Sequence, residues 1–194
     1  GLFALPAAVV SGLNIQVVLK DHVVPGAADN VSGCVSLVEL ARRLAPALPP
    51  GTELVTVITG SEESGTGGAY RIAGQMEGTW ARADTTVLAI DTMTNGDLVC
   101  LEEGELWPVP VPERLRAAIQ ATSAEPGMLS VREHAIPAGA TDALPFLARG
   151  YEAASLTSID RDIGAPRHYH HPTDIAANVD PLELRRSIDF AERL

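Results

Sequence analysis

The chain has 194 residues, 46% of them hydrophobic and 20% charged, which suits one globular domain with a sizeable core and excludes a disordered chain. Its 25 acids outweigh 14 bases for a net charge of −11, and no basic stripe runs along it, so phosphate backbones are repelled and nucleic-acid binding is excluded as an expectation. The two cysteines, Cys34 and Cys100, lack metal-type spacing and read as small buried apolar residues that do not report a redox compartment.

In chain order, residues 1–19 carry no charge. Pro6, Asn14 and Gln16 interrupt the run and no basic n-region precedes it, so neither a membrane span nor a signal peptide fits. Two short strands, 7–10 and 15–19, separated by Ser11-Gly12, account for it better. The chain starts with neither Met nor a helix cap, as expected of the remainder of a longer polypeptide. A polar loop over 20–30 contains Asp21, His22 and Asp29. From Val31 apolar residues recur every three or four positions through Leu44, which predicts a helix capped by Asn30 and stopped by Leu48-Pro49-Pro50-Gly51.

The β-branched run 54–58 predicts a buried strand. It ends in Thr59-Gly60-Ser61-Glu62-Glu63-Ser64-Gly65-Thr66-Gly67-Gly68, two adjacent acids before a glycine-rich turn, followed by a short helix over 68–76. A second buried strand, 85–91, also ends in an acid, Asp91. Residues 98–101 and 106–111 suggest a small hairpin, and Pro112 opens a helix that ends near Pro126-Gly127. A strand over 128–131 precedes a loop with His134. Thr141 then caps a helix stopped by Gly150. A strand over 153–156 leads into a polar loop, and Asp180-Pro181 opens the last helix. Alternating strands and helices predict an α/β fold, and without internal repeats the expectation is a single domain over 1–194.

Taken singly, the candidate ligands are ordinary polar residues. Together, Asp29, Glu63, Asp91 and His170 each follow a predicted strand, and a parallel sheet gathers such loops along one edge. Carboxylate and imidazole ligands of this kind suit zinc, with manganese or cobalt as substitutes, and extra carboxylates allow one acid to bridge two ions.

Four segments carry a family resemblance. They are Gly26-Ala27-Ala28-Asp29-Asn30-Val31-Ser32-Gly33 running into a helix, and Glu62-Glu63-Ser64-Gly65 with Gly67-Gly68 after it. The others are Ile90-Asp91-Thr92-Met93, and Tyr169-His170-His171-Pro172-Thr173-Asp174 before a terminal helix. In this order the chain resembles metallopeptidase family 28, the co-catalytic zinc aminopeptidases of the bacterial leucyl aminopeptidase type, over roughly residues 20–194. The resemblance implies a three-layer α/β/α sandwich with a mixed, mostly parallel sheet whose first strands are truncated. It implies an exopeptidase acting on peptides with two zinc ions. Asp29 would bridge them, Glu63 and His170 would complete one site, and Asp91 would belong to the other. Glu62 would be the general base, Tyr169 a phenol facing the developing oxyanion, and Asp142 a polar residue near the substrate pocket. It also implies a secreted or cell-envelope protein.

The family pattern expects a His-x-Asp at the end of the strand before Asp29. Here Leu19 holds the histidine position and Asp21 is retained, which leaves His22 as a substitute ligand or a missing segment as the source. Residues 5–12 resemble part of an inserted protease-associated domain. Two other readings follow from the incomplete second site: a one-metal enzyme like the glutaminyl cyclases, or a pseudo-peptidase that keeps the fold as a binding module. Retention of both Glu62 and Glu63 favours an enzyme.

Overall fold

A computed structural model describes Ile15, Leu19 and residues 23–104, 109–135 and 139–194. Strands β1 (Thr86–Ile90), β2 (Asp97–Glu102), β3 (Arg132–Ala135) and β4 (Glu152–Ile159) form one sheet in the order β1-β4-β2-β3. β1 runs parallel to β4, with Thr86 opposite Glu152 and Ile90 opposite Leu156. β2 runs parallel to β3 and antiparallel to β4, so the sheet is mixed with two parallel pairings out of three.

Alternation along these strands serves two helical layers, as period-2 side chains require. Leu98, Cys100, Ala154 and Leu156 point to one face. There they pack with Leu40 of α1 (Gly33–Leu44), Leu115 and Ile119 of α3 (Glu113–Ser123), and Ile188 and Phe190 of α5 (Pro181–Arg193). Val87, Ala89 and Ala153 point the other way, towards Ala69 and Ala73 of α2 (Gly67–Met76) and Phe146 of α4 (Leu144–Leu147). The architecture is the expected α/β/α sandwich. Helix boundaries follow their caps. Asp180 Oδ1 accepts from the N–H groups of Leu182 and Glu183 ahead of α5, with Pro181 in the first turn. Asn30 Oδ1 accepts from Gly33 N at 2.9 Å at the start of α1. A Cβ on Gly33 would stand 2.8 Å from the Ile90 carbonyl oxygen, so only glycine lets α1 approach the end of β1 this closely.

Several expected elements differ. The run 54–58 is extended but belongs to no strand, and Val55 and Ile58 are 47% and 62% exposed. β-propensity describes a residue that fits a half-buried pleated surface, and no described strand lies beside this run to supply one. On the same grounds Val31, Val35 and Val38 stand on an exposed side of the first turns and α1, away from the buried Ser36 and Leu40. Ile15 and Leu19 are helical rather than extended; a five-residue apolar run does not distinguish the two by periodicity. The strand expected over 7–10 lies outside the described residues, as do Asp21 and His22. The strand expected over 128–131 starts later, at Arg132, so His134 belongs to β3 rather than to a loop. Residues 105–108 of the expected hairpin also lie outside the described set, although Val109 N donates to the Glu103 carbonyl at 2.5 Å.

These differences are checked by urea unfolding. Leu156→Ala, at a fully buried position on the middle of the sheet, is expected to cost about 2–5 kcal/mol, whereas Ile58→Thr costs less than about 0.5 kcal/mol.

Candidate metal centre

Four loops meet where β1 and β4 end. The first runs from Gly26, in the left-handed region at φ 70°, through Asp29 to the start of α1. Its anchor is Asp174, 1% exposed, whose two carboxylate oxygens accept from Ala28 N at 2.7 Å and Asp29 N at 3.0 Å. Ala27 N also donates to the Asp174 carbonyl. Asn30 ties the same loop to β1 by donating to the Ile90 carbonyl and accepting from Thr92 N.

The second loop carries the glutamate pair. Gly65 N and Thr66 N donate to the Glu62 carbonyl, Gly67 N to that of Ser61, and Gly68 N to that of Gly60. These bonds close the turn onto the start of α2. A Cβ on Gly68 would sit 2.5 Å from the Gly60 oxygen, so the glycine-rich composition is a condition of this closure. The third loop begins at Asp91 on the end of β1, and the fourth carries His168 to Asp174. Among the described residues, six non-glycine positions have φ in the left-handed region. Five of them, Ser61, Thr66, Thr92, His168 and His170, lie in these loops, where each costs on the order of 1–3 kcal/mol and is held by its surroundings.

The loops bring three ligand-bearing side chains to one point. His170 Nε2 lies 2.9 Å from Glu63 Oε2 and 3.6 Å from Asp29 Oδ2, and one ligand atom from each residue falls within 4.8 Å of the others. Among the described residues this is the one such group. The Tyr169 ring stacks on His170 at 3.8 Å between centroids and fixes its plane. His168 and His171 both turn their Nδ1 to the Thr173 hydroxyl instead. Asp91 lies close by without joining the three-ligand group, and Asp142 accepts a hydrogen bond from the Thr59 hydroxyl beside the glutamate turn. Leu19 is 78% exposed and offers no lone pair.

Electrostatics mark the same spot. Burial, and then the neighbouring Asp29 charge, push the Asp91 carboxyl up to about 7. Burial and Glu63 raise Asp29 to about 6, against a smaller opposing pull from His170. Burial raises Glu62 to about 8, with Asp91 and Asp142 the next causes. Burial also lifts the Tyr169 phenol to about 12, so it stays protonated and able to donate at neutral pH. Crowded carboxylates beside an imidazole form a donor set that fits zinc, because a divalent cation relieves their mutual repulsion and takes oxygen and nitrogen ligands.

Sequence reasoning quoted Asp174 and Asn30 without giving them a part in the site. The Asx signal at Asn30 was readable as a helix cap, but its reach across to β1 was not. Nothing local marks Asp174 as the carboxylate that binds a loop 145 residues away.

The model of peptidase family M28 matches residues 16–193. The chain belongs to peptidase family M28. No curated protein matches the sequence. Among solved structures, BSAP, a zinc aminopeptidase from Bacillus subtilis, is similar with a TM-score of 0.72 at 20% identity, over 88% of this chain and 41% of that one. An aminopeptidase from Aneurinibacillus sp. strain AM-1 is similar at 0.68 and 24% identity, over 88% and 39%. A glutaminyl cyclase from Bacteroides thetaiotaomicron bound to N-acetylhistamine is similar at 0.65 and 18% identity, over 88% and 62%. The M28 chain therefore spans about two fifths of the length of the two aminopeptidases, with the same fold over that span. No helix among the described residues is long and apolar enough to cross a membrane.

The raised carboxyls fix the sign of a pH effect on this M28 chain. Asp29, Glu62 and Asp91 hold protons in the folded state that the unfolded chain releases near pH 4, so their contribution to stability is present at low pH and lost as pH rises through about 6 to 8. Glu39, held down to about 2 by Arg42 and Arg43, is ionised in both states across that window and does not oppose the trend. Treated with a chelator, the protein is expected to melt at progressively lower temperature between about pH 5 and pH 8, and saturating zinc is expected to abolish the decline. A melting temperature that rises over this range without metal would contradict the charge crowding.

Proposed function

We propose that the chain is the metal-binding part of a zinc-dependent exopeptidase that removes N-terminal amino acids from peptides. The observation that carries this reading is the convergence of Asp29, Glu63 and His170, with Glu62 on the adjacent position of the same closed turn. The chemistry supplied by bound zinc is Lewis acidity, which polarises a carbonyl and lowers the pKa of water to about 7. Asp29, Glu63 and His170 would hold one ion. Asp29 would also face a second, with Asp91 as its further ligand, and His22 is the proposed nitrogen donor there.

Glu62 takes the proton of the attacking water and returns it to the leaving amine. A carboxyl near neutrality matches both halves of that exchange, since efficient acid–base groups titrate close to the operating pH. The protonated Tyr169 phenol, beside His170, donates to the oxygen on which negative charge develops. Asp142, tethered to Thr59, bounds the substrate pocket next to Glu62.

A second reading, a one-metal enzyme of the glutaminyl cyclase kind, is favoured by a specific observation. Only one three-ligand group exists among the described residues, and a cyclase is among the similar structures. Metal content separates the two: two zinc equivalents per chain support the exopeptidase, and one supports the cyclase. None at saturating zinc excludes both and leaves a pseudo-peptidase that acts as a binding module. Hydrolysis of aminoacyl chromogenic amides is the direct assay. Glu62→Gln is expected to lower kcat by about 10²–10⁴-fold with zinc content unchanged. Full activity in that variant would remove Glu62 as the base. His22→Ala is expected to reduce binding to one equivalent, and unchanged metal content would remove His22 as a ligand.

A further inference from the structure

Glu103 lies just beyond β2, 2% exposed, and the proposed chemistry does not use it. A carboxylate sealed from water is costly unless its oxygens are hydrogen-bonded. Both oxygens of Glu103 are committed to one residue: the Thr141 hydroxyl donates to Oε1 at 2.6 Å and Thr141 N to Oε2 at 2.7 Å. Thr141 Oγ1 in turn accepts from Ala143 N at 3.2 Å, which closes a turn around Asp142. Asp142 Oδ2 then accepts from the Thr59 hydroxyl, and Thr59 leads directly into the turn that Gly68 N closes on the Gly60 carbonyl. A continuous hydrogen-bonded path therefore runs from the end of β2 to the residue next to the Glu62 turn. Asp142 Oδ1 is buried with no partner among the described residues, so the Thr59 bond is the one that fixes this side chain.

We propose that Glu103 is a positioning residue for the general base: through Thr141, Asp142 and Thr59 it fixes the place of the Glu62 turn. The inference rests on the exopeptidase reading for Glu62. A buried anionic clamp suits this task, because bonds to a charged acceptor are stronger than those between neutral groups and Glu103 ties a long loop to the sheet. Displacing a catalytic group by about 1 Å costs on the order of 100-fold in rate, so the effect falls on turnover rather than on substrate binding.

The test uses zinc-loaded wild type, Glu103→Ala, Glu103→Gln and Glu103→Ala combined with Glu62→Gln. Glu103→Ala is expected to lower kcat by about 10–100-fold with KM within about 3-fold and zinc content unchanged. Glu103→Gln, whose amide oxygen still accepts from Thr141 N, is expected to recover most of that loss. In the Glu62→Gln background, Glu103→Ala is expected to add nothing, because the group it positions is gone. Equal losses in both backgrounds, a loss confined to KM, or Gln no better than Ala would overturn the proposal. Amide hydrogen exchange reads the clamp without activity: the Thr141 amide is expected to exchange at least about 10-fold faster in Glu103→Ala and to stay protected in Glu103→Gln. Unchanged exchange in Glu103→Ala overturns the clamp whatever the activity. An inactive, zinc-loaded wild type with the expected exchange pattern would instead overturn the exopeptidase reading and with it the assignment of Glu62.

Discussion

Carboxylates repel, and this structure holds Asp29, Glu62, Glu63 and Asp91 at one corner of a sheet. Two like charges about 4 Å apart oppose each other by roughly 4 kcal/mol at an effective dielectric of 20, and partial burial makes the arrangement harder to sustain. Much of the surrounding detail is a response to that load. Asp174 gives both oxygens to the loop of Asp29, the glutamate turn is closed by backbone hydrogen bonds, and Asn30 spans from α1 to the end of β1. The left-handed residues concentrate in the same loops, where the scaffold overrides local preference. A scaffold that spends this much on holding acids together is organised for a cation.

The sheet explains how distant segments reach that corner. β1 and β4 are parallel neighbours, so the loop after Asp91 and the loop that carries His170 leave the same edge. Asp174 then binds the second of these to the Asp29 loop across 145 residues of sequence. Neither His170 nor Asp29 needs help from its own local structure to find the other, because the loop ends are fixed by hydrogen bonds to a buried carboxylate. The stacked Tyr169 ring removes the remaining freedom, the rotation of the imidazole.

Much of this was legible in the sequence, and the reasons differ by residue. Thr86–Ile90 and the end of β4 read as buried strands because both of their faces are covered by helices, which leaves a run of apolar residues. The acids at strand ends were readable because the alternation of strands and helices predicts where loops gather. The run 54–58 has the composition of a strand, but pairing is a long-range property, and no described neighbour completes it. Val31, Val35 and Val38 belong to the same difficulty: helical periodicity marks a face as apolar without saying what covers it. Asp174 and Glu103 were illegible for a different reason. A carboxylate whose partners are backbone N–H groups far along the chain looks in sequence like any solvated acid.

Charge balance also bears on how many ions this edge would hold. Asp29, Glu63 and His170 offer two negative charges to one divalent ion, which neutralises them and leaves Glu62 and Asp91 uncompensated beside it. Glu62 serves as a base only if its charge is available and its pKa is not pushed far above neutrality by neighbours, and Asp91 is the nearest charge that pushes it up. A second ion next to Asp91 removes that pressure and brings the four carboxylates to balance. The nitrogen ligand missing at Leu19 weakens such a site, yet the field of the surrounding acids draws a cation to it all the same. The second ion is then a matter of electrostatic balance as much as of ligand count, and its occupancy governs whether Glu62 titrates in the range where it can act.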